Sequence, residues 1–175
     1  MAAPQFKQLR RSYGFDEVAI VPGDVTTNPE QANIDFKVEH FTFSIPIIAS
    51  AMDAVTDVNF AALMSQLGGL AVLNLEGIQT RYDNPQEILT EIAQVADAEI
   101  TSLLQKVYSQ PIKENLIGER IQAIKQSGTV CAVSVAPANT KRFAPITAEA
   151  EADIFLVQST VTSARHISKS YRGLI

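Results

Sequence analysis

Three short segments between residues 45 and 73 constrain this chain more than anything else in it. Ile45-Pro-Ile-Ile-Ala49 is a continuous apolar run, the pattern of a strand buried on both faces. Ser50-Ala-Met-Asp-Ala-Val-Thr56 then turns small and polar, and Asp57 stands where it can cap a helix. In that helix Phe60, Leu63, Met64 and Leu67 fall at i, i+3, i+4 and i+7, which predicts a single apolar face. Gly68 and Gly69 end it, because a left-handed residue costs glycine almost nothing. A second buried strand, Leu70-Ala-Val-Leu73, follows at once. Strand, helix, glycine turn and strand make a βαβ unit, whose right-handed crossover sets the two strands parallel. Ligands of such sheets meet the carboxyl ends of the strands. Ser50, Met52 and Asp53 therefore belong to the top of the first strand, and Asn74 and Glu76 to the top of the second.

The rest of the chain continues the alternation. Residues 1–44 form a lead-in: Phe15 to Pro22 is mixed apolar and acidic, Pro22-Gly23-Asp24 is a turn, and Thr26 to Gln31 a polar loop. From Val38 to Ile45 the residues alternate, with Phe41, Phe43 and Ile45 on one side, which predicts one strand with a wet face. Asn84-Pro-Gln-Glu87 is a helix start. Further helices are predicted from about Ala98 to Ser109 and from about Lys113 to Gln126, closed by Ser127-Gly128. Val130 to Val135 is a third buried strand, and Asn139 is placed to cap the helix after it. Pro145 predicts a late start or a kink in that helix. Ile154 to Val157 is the fourth strand, with Gln158-Ser-Thr160 at its carboxyl end, and Ser163 caps a short helix to about Tyr171.

Ser50-Ala-Met-Asp-Ala-Val-Thr-Asp57, with Gly68-Gly69-Leu70 after it, resembles the start of the barrel in the IMP dehydrogenase / GMP reductase family. Phe15-Asp-Glu-Val-Ala-Ile-Val-Pro22 is similar to that family's lead-in. The nearest resemblance is to the bacterial IMP dehydrogenase-related proteins that lack a regulatory CBS pair. It implies an α/β fold, a (β/α)₈ TIM barrel, of which residues 45–175 hold the first four units. Residues 1–44 would lie across the barrel bottom, and the helices of residues 84–127 would stand where a CBS pair is otherwise inserted. A closed barrel takes about 250 residues and eight strands. The 175 residues here are either part of a longer protein, the preferred reading, or a half-barrel that pairs with something.

The resemblance further implies an oxidoreductase acting at C2 of a purine nucleoside monophosphate, IMP to XMP with NAD, in purine metabolism. The alternative is a GMP reductase using NADPH, and a second alternative is a non-catalytic half-barrel. In the family a cysteine thiolate attacks C2 and a hydride leaves for NAD. That cysteine follows the sixth strand, so it is expected beyond Ile175, no catalytic residue is assigned, and the chain alone is expected to be inactive. Ser50 and Met52 match the family's nucleotide contacts, although a small strand-end residue and a core methionine would look the same. Asp53 is expected to hold loop backbone. Asn74, where the family carries histidine or lysine, and Gln158, Ser159 and Thr160, where it carries Asp-Ser-Ser, are the candidate cofactor contacts. The last three could equally be a polar strand-to-helix turn. Ala54 and Asp57 depart from the family's usual threonine and glutamate.

Composition bounds the remaining possibilities. With 46% hydrophobic and 19% charged residues the chain is expected to be a soluble domain. A net charge of −5 argues against nucleic acid as the main partner. No apolar run approaches the roughly 18 residues a membrane span needs. The first residues hold no apolar stretch of a secretory signal. One cysteine, Cys131, cannot form an internal disulfide, and a cytoplasmic location is expected. Surrounded by Val and Ala, it is expected to be a small structural hydrophobe. His40 and His166 have no partner at ligand spacing, so no metal is expected. The expected partners are a purine nucleotide and further copies of the chain, a tetramer by family resemblance.

Overall fold

In the computed structural model, which describes residues 10–159, the chain divides into two units that meet between Asn33 and Ile34. The first unit holds two single turns of 3₁₀ helix, Phe15–Glu17 and Pro29–Gln31, and no residue from 10 to 33 is buried. The second unit opens with a hairpin, β1 (Phe36–Val38) and β2 (Phe41–Phe43), paired antiparallel with Phe36 opposite Phe43. The alternation from Val38 to Ile45 predicts one strand. The chain instead reverses at Glu39-His40, where Glu39 takes a left-handed φ of 51°.

Next come β3 (Ile48–Ala49), α1 (Val58–Gln66) and β4 (Leu70–Asn74). Asp57 accepts the Phe60 N–H at 2.7 Å as the helix cap, and Gly68 closes the helix at φ 87°. β3 is shorter than the apolar run predicts. Pro46 has no N–H to give a ladder, and regular pairing begins at Ile48 opposite Leu70. Two helices follow, α2 (Pro85–Gln94) and α3 (Ile100–Ser109), and then α4 (Glu114–Gln126), β5 (Ala132–Val135), α5 (Thr140–Glu149) and β6 (Ile154–Val157). Asn84 occupies the cap position of α2 without a side-chain hydrogen bond. α5 starts directly after Asn139 and runs through Pro145, so the late start does not occur. The helix from Ser163 to Tyr171 and His166 lie outside the described residues.

The four strands β3-β4-β5-β6 form one parallel sheet in chain order. Because strand residues alternate between faces, the sheet has two apolar coats. Ala71, Leu73, Val133 and Val135 pack against Ile117, Ile121 and Ile124 of α4, Met64 of α1 and Phe143 of α5. Leu70, Val72 and Ala132 pack on the other face against Phe43, with Phe36, Val38 and Phe41 around it. The hairpin thus covers the face that the helices leave open. Each fully buried Ile or Leu stabilises the fold by about 1.5–3 kcal/mol relative to exposure. The polar ends of the strands lie beyond both coats.

Candidate site at the carboxyl ends of the strands

Register decides what meets there. Val72 is opposite Ala132 and Ala132 opposite Ile154, while two residues further on Asn74 is opposite Ser134 and Ser134 opposite Leu156. Continuing the alternation, Asn74, Ser134 and Gln158 stand on the hairpin side of the sheet, one step above its apolar layer. Ser50, two residues after Ile48, joins them on β3. Ser134 is buried and its hydroxyl donates to Gln158 Oε1 at 3.0 Å, so the amide of Gln158 is oriented by its neighbouring strand. Asn74 Oδ1 accepts the Glu76 N–H at 3.0 Å, which turns its carbonyl back onto its own loop. Ser159 is exposed beside Gln158, and Thr160 lies outside the described residues.

The loop of residues 50–57 has a folded shape of its own. Ser50 carbonyl accepts from Met52 N–H at 2.8 Å and from the Thr56 hydroxyl at 2.9 Å, while Met52 carbonyl accepts from Val55 and Thr56. Thr56 is buried, whereas the Ser50 and Met52 side chains are exposed, Met52 at 55%. Asp53 leaves this loop towards its neighbours. Its Oδ2 accepts from Ile78 N–H at 3.1 Å and from the Tyr108 hydroxyl of α3 at 2.6 Å. Its Oδ1 is buried with no hydrogen-bond partner among the described residues. Gly77 makes the approach feasible, since a Cβ there would stand 1.8 Å from Oδ1. Partial burial and the Asp53 carboxylate both push the Tyr108 hydroxyl above its ordinary pKa, so it stays a proton donor.

Glu76 is the residue that local pattern reading undervalues. Its carboxylate accepts the Ala136 N–H and the Asn139 side-chain amide, and its carbonyl takes Arg81 Nε at 3.0 Å. Glu76 therefore joins the loops above β4 and β5. Asn139, expected to cap α5, makes no cap hydrogen bond and serves Glu76 instead. The only sequence signal for Glu76 is its position at the top of β4. Nothing local announces Tyr108, which looks like a surface residue of α3.

Cys131 is fully buried in the core on the helix side of the sheet, away from the strand ends. Burial foremost, and then the charge of Asp153, push its thiol up to about 12, which leaves no thiolate near neutrality. A cleft of about 440 Å³ opens beside Asp53 between Val55, Phe60, Leu89 and Ile92, and takes none of Ser50, Asn74 or Gln158 into its lining. Among the described residues no group of three or more His, Cys, Asp or Glu could hold a metal ion. No helix among them is long and apolar enough to cross a membrane.

Comparison with known proteins gives this geometry a context. The family profile of the IMP dehydrogenase / GMP reductase domain matches residues 12–173. An uncharacterised oxidoreductase of Mycolicibacterium smegmatis is 32% identical over 167 residues, covering 93% of this chain and 44% of the relative. An inosine-5'-monophosphate dehydrogenase of Streptococcus pyogenes is 26% identical over 133 residues, covering 67% of this chain and 27% of the relative. The crystal structure of an IMP dehydrogenase/GMP reductase-like protein from Corynebacterium glutamicum superposes with a TM-score of 0.82 at 29% identity, over 91% of this chain and 44% of that one. The chain thus spans less than half the length of the relatives it matches.

Proposed function

This chain belongs to the IMP dehydrogenase / GMP reductase family, and from that premise we propose that the full-length protein is an oxidoreductase acting at C2 of a purine nucleoside monophosphate. The observation that carries the reading is the polar row of Ser50, Asn74, Ser134 and Gln158 on one face at the carboxyl ends of parallel strands. The preferred reaction is oxidation of IMP to XMP with NAD. The four strands are then the first half of a (β/α)₈ barrel, and the catalytic cysteine lies in the remainder. The protein is an oligomer working in the cytoplasm.

In this reading Ser50 and Met52 meet the nucleotide, Met52 offering its exposed thioether side chain to the base. Gln158, with Oε1 already held by Ser134, offers Nε2 as a donor to a ribose hydroxyl of the dinucleotide, alongside Ser159, Thr160 and Asn74. A donor amide at that place fits a ribose, with less strength than a carboxylate would give. The nicotinamide, when bound, exchanges hydride with C2. A second reading, reduction of GMP by NADPH, is favoured by one observation. The connection between β4 and α4 holds one 3₁₀ turn, Ile78–Thr80, and two short helices, α2 and α3, with α3 tied to the loop above β4 through Tyr82 and Val107, an economy shared with the reductases.

The test is to assay the full-length protein for IMP-dependent NADH formation and GMP-dependent NADPH oxidation, with the 175-residue chain beside it. Activity in one direction, none in the 175-residue chain, is the expected result. Ser50→Ala should weaken nucleotide binding by roughly three- to a hundred-fold, the loss of one hydrogen bond of about 0.5–3 kcal/mol. Wild-type affinity for both nucleotides in that variant would remove the strand end from the site.

A further inference from the structure

The Ser50–Met52 turn is exposed and short, and the side chain of Asp53 is what anchors it to elements beyond its own loop. Of the two groups that bind this anchor, Ile78 N–H belongs to the loop above β4 and is fixed by the main chain. The other is a side-chain hydroxyl carried by α3, 55 residues further along. Asp53 needs both. With Oδ1 buried against Gly77 and without a partner among the described residues, the carboxylate already bears the desolvation of one oxygen. Only the donors on Oδ2 offset it.

α3 is itself held in place. Tyr82 hydroxyl donates to Val107 carbonyl at 3.1 Å, Arg81 donates to Gln110 carbonyl, and Val107 is buried. The end of α3 that bears Tyr108 is therefore fastened to the loop above β4, and Tyr108 can act as a fixed prop. We propose that Tyr108 is a positioning residue for the nucleotide: its hydroxyl holds Asp53, and through it the Ser50–Met52 turn, in the conformation that meets the ligand. The inference rests on the proposed site at Ser50 and deepens it by giving the α2–α3 connection a part in shaping that site. The raised pKa of the Tyr108 hydroxyl keeps the prop protonated throughout the range in which such an enzyme is assayed.

Tyr108→Phe in the full-length protein removes only the hydroxyl and keeps the ring. Binding of IMP and GMP, measured by calorimetry, should weaken about three- to tenfold for the nucleotide that the wild type binds. KM should rise by the same factor while kcat changes less than about twofold, because the prop acts on binding and not on the reacting atoms. The decisive comparison is Tyr108→Phe made in the Ser50→Ala background. If the prop works through the turn, its removal there should cost little more, so the two losses fall short of multiplying. Fully multiplicative losses, or wild-type affinity in Tyr108→Phe with only a lower melting temperature, would overturn the inference and leave the Ser50 site standing. A wild type that binds neither nucleotide would instead overturn the proposed function, and the inference with it.

Discussion

Helices α1 and α4 carry apolar residues at the same helical spacing and use them differently. On α4, Ile117, Ile121 and Ile124 are 0, 0 and 1% exposed; on α1, Phe60 and Leu63, with Leu67 at its C-cap, are 37, 56 and 69% exposed, and only Ala61 and Met64 of the helix are buried. α4 lies between α1 and α5 and over the middle of the sheet, so its stripe has neighbours on both sides. α1 packs on β4 and α4, beside β3, which is an edge strand of the described sheet with Ile47 and Ile48 half exposed. Periodicity reports that a helix owns an apolar face. It does not report whether the neighbour that should cover the face is part of the same stretch of chain.

Three measurements bear on this contrast. The largest effect should come from Ile121→Ala, which opens a cavity between α4 and the sheet and should lower unfolding free energy in urea by about 2–5 kcal/mol. A loss under about 1 kcal/mol would mean that the seam of α4 is not packed as described.

Cys131→Ala probes the same core from the strand side and should cost about 1 kcal/mol near neutrality, with no loss of intrinsic chemistry. Its pH dependence has a definite sign. The thiol is neutral in the folded state up to about 12 and ionises earlier, from its ordinary value near 9, when unfolded. Its contribution is therefore fully present below pH 9 and fades as pH rises through the folded pKa. The stability difference between wild type and Cys131→Ala should shrink or reverse above pH 9. A difference that is flat to pH 11 would mean that the thiol is not buried.

The smallest effect should be that of Leu63→Ala in the 175-residue chain, within about 0.5 kcal/mol, as for other exposed positions. In the full-length protein the same substitution should cost about 2 kcal/mol or more if the remaining half of the barrel covers α1. Equal and small costs in both would argue that the face of α1 is solvent-exposed in the whole protein too.

Local chemistry made most of the fold legible. The strand Ile154–Val157, the cap at Asp57, the left-handed Gly68 and the stripe of α4 each depend on residues a few positions apart, and each appears as the sequence predicts. The candidate site was legible only in outline. Position at the carboxyl end of a strand singled out Ser50, Met52, Asp53 and Asn74, since that rule needs only the strand order. It could not say that Asn74 turns its carbonyl onto Glu76 N–H.

Long-range packing set a series of partnerships between residues distant in the chain. The Val38–Ile45 alternation predicts one strand, whereas the structure has two, Phe36–Val38 and Phe41–Phe43. The apolar face of the sheet, with Leu70, Val72 and Ala132, is what the hairpin covers. Asn139 could have capped its own helix by accepting with Oδ1, but its Nδ2 donates to the carboxylate of Glu76, 63 residues earlier, and that charge-assisted bond orients the amide. Tyr108 looks like any exposed residue of α3 until folding brings its hydroxyl to Asp53. Propensity and periodicity act over one or two turns of chain, so the four buried strands and the helices between them were readable from the residues, while the antiparallel β1–β2 hairpin was not. Which polar groups meet depends on the packing of whole elements, and that was settled only when the sheet and its helices came together.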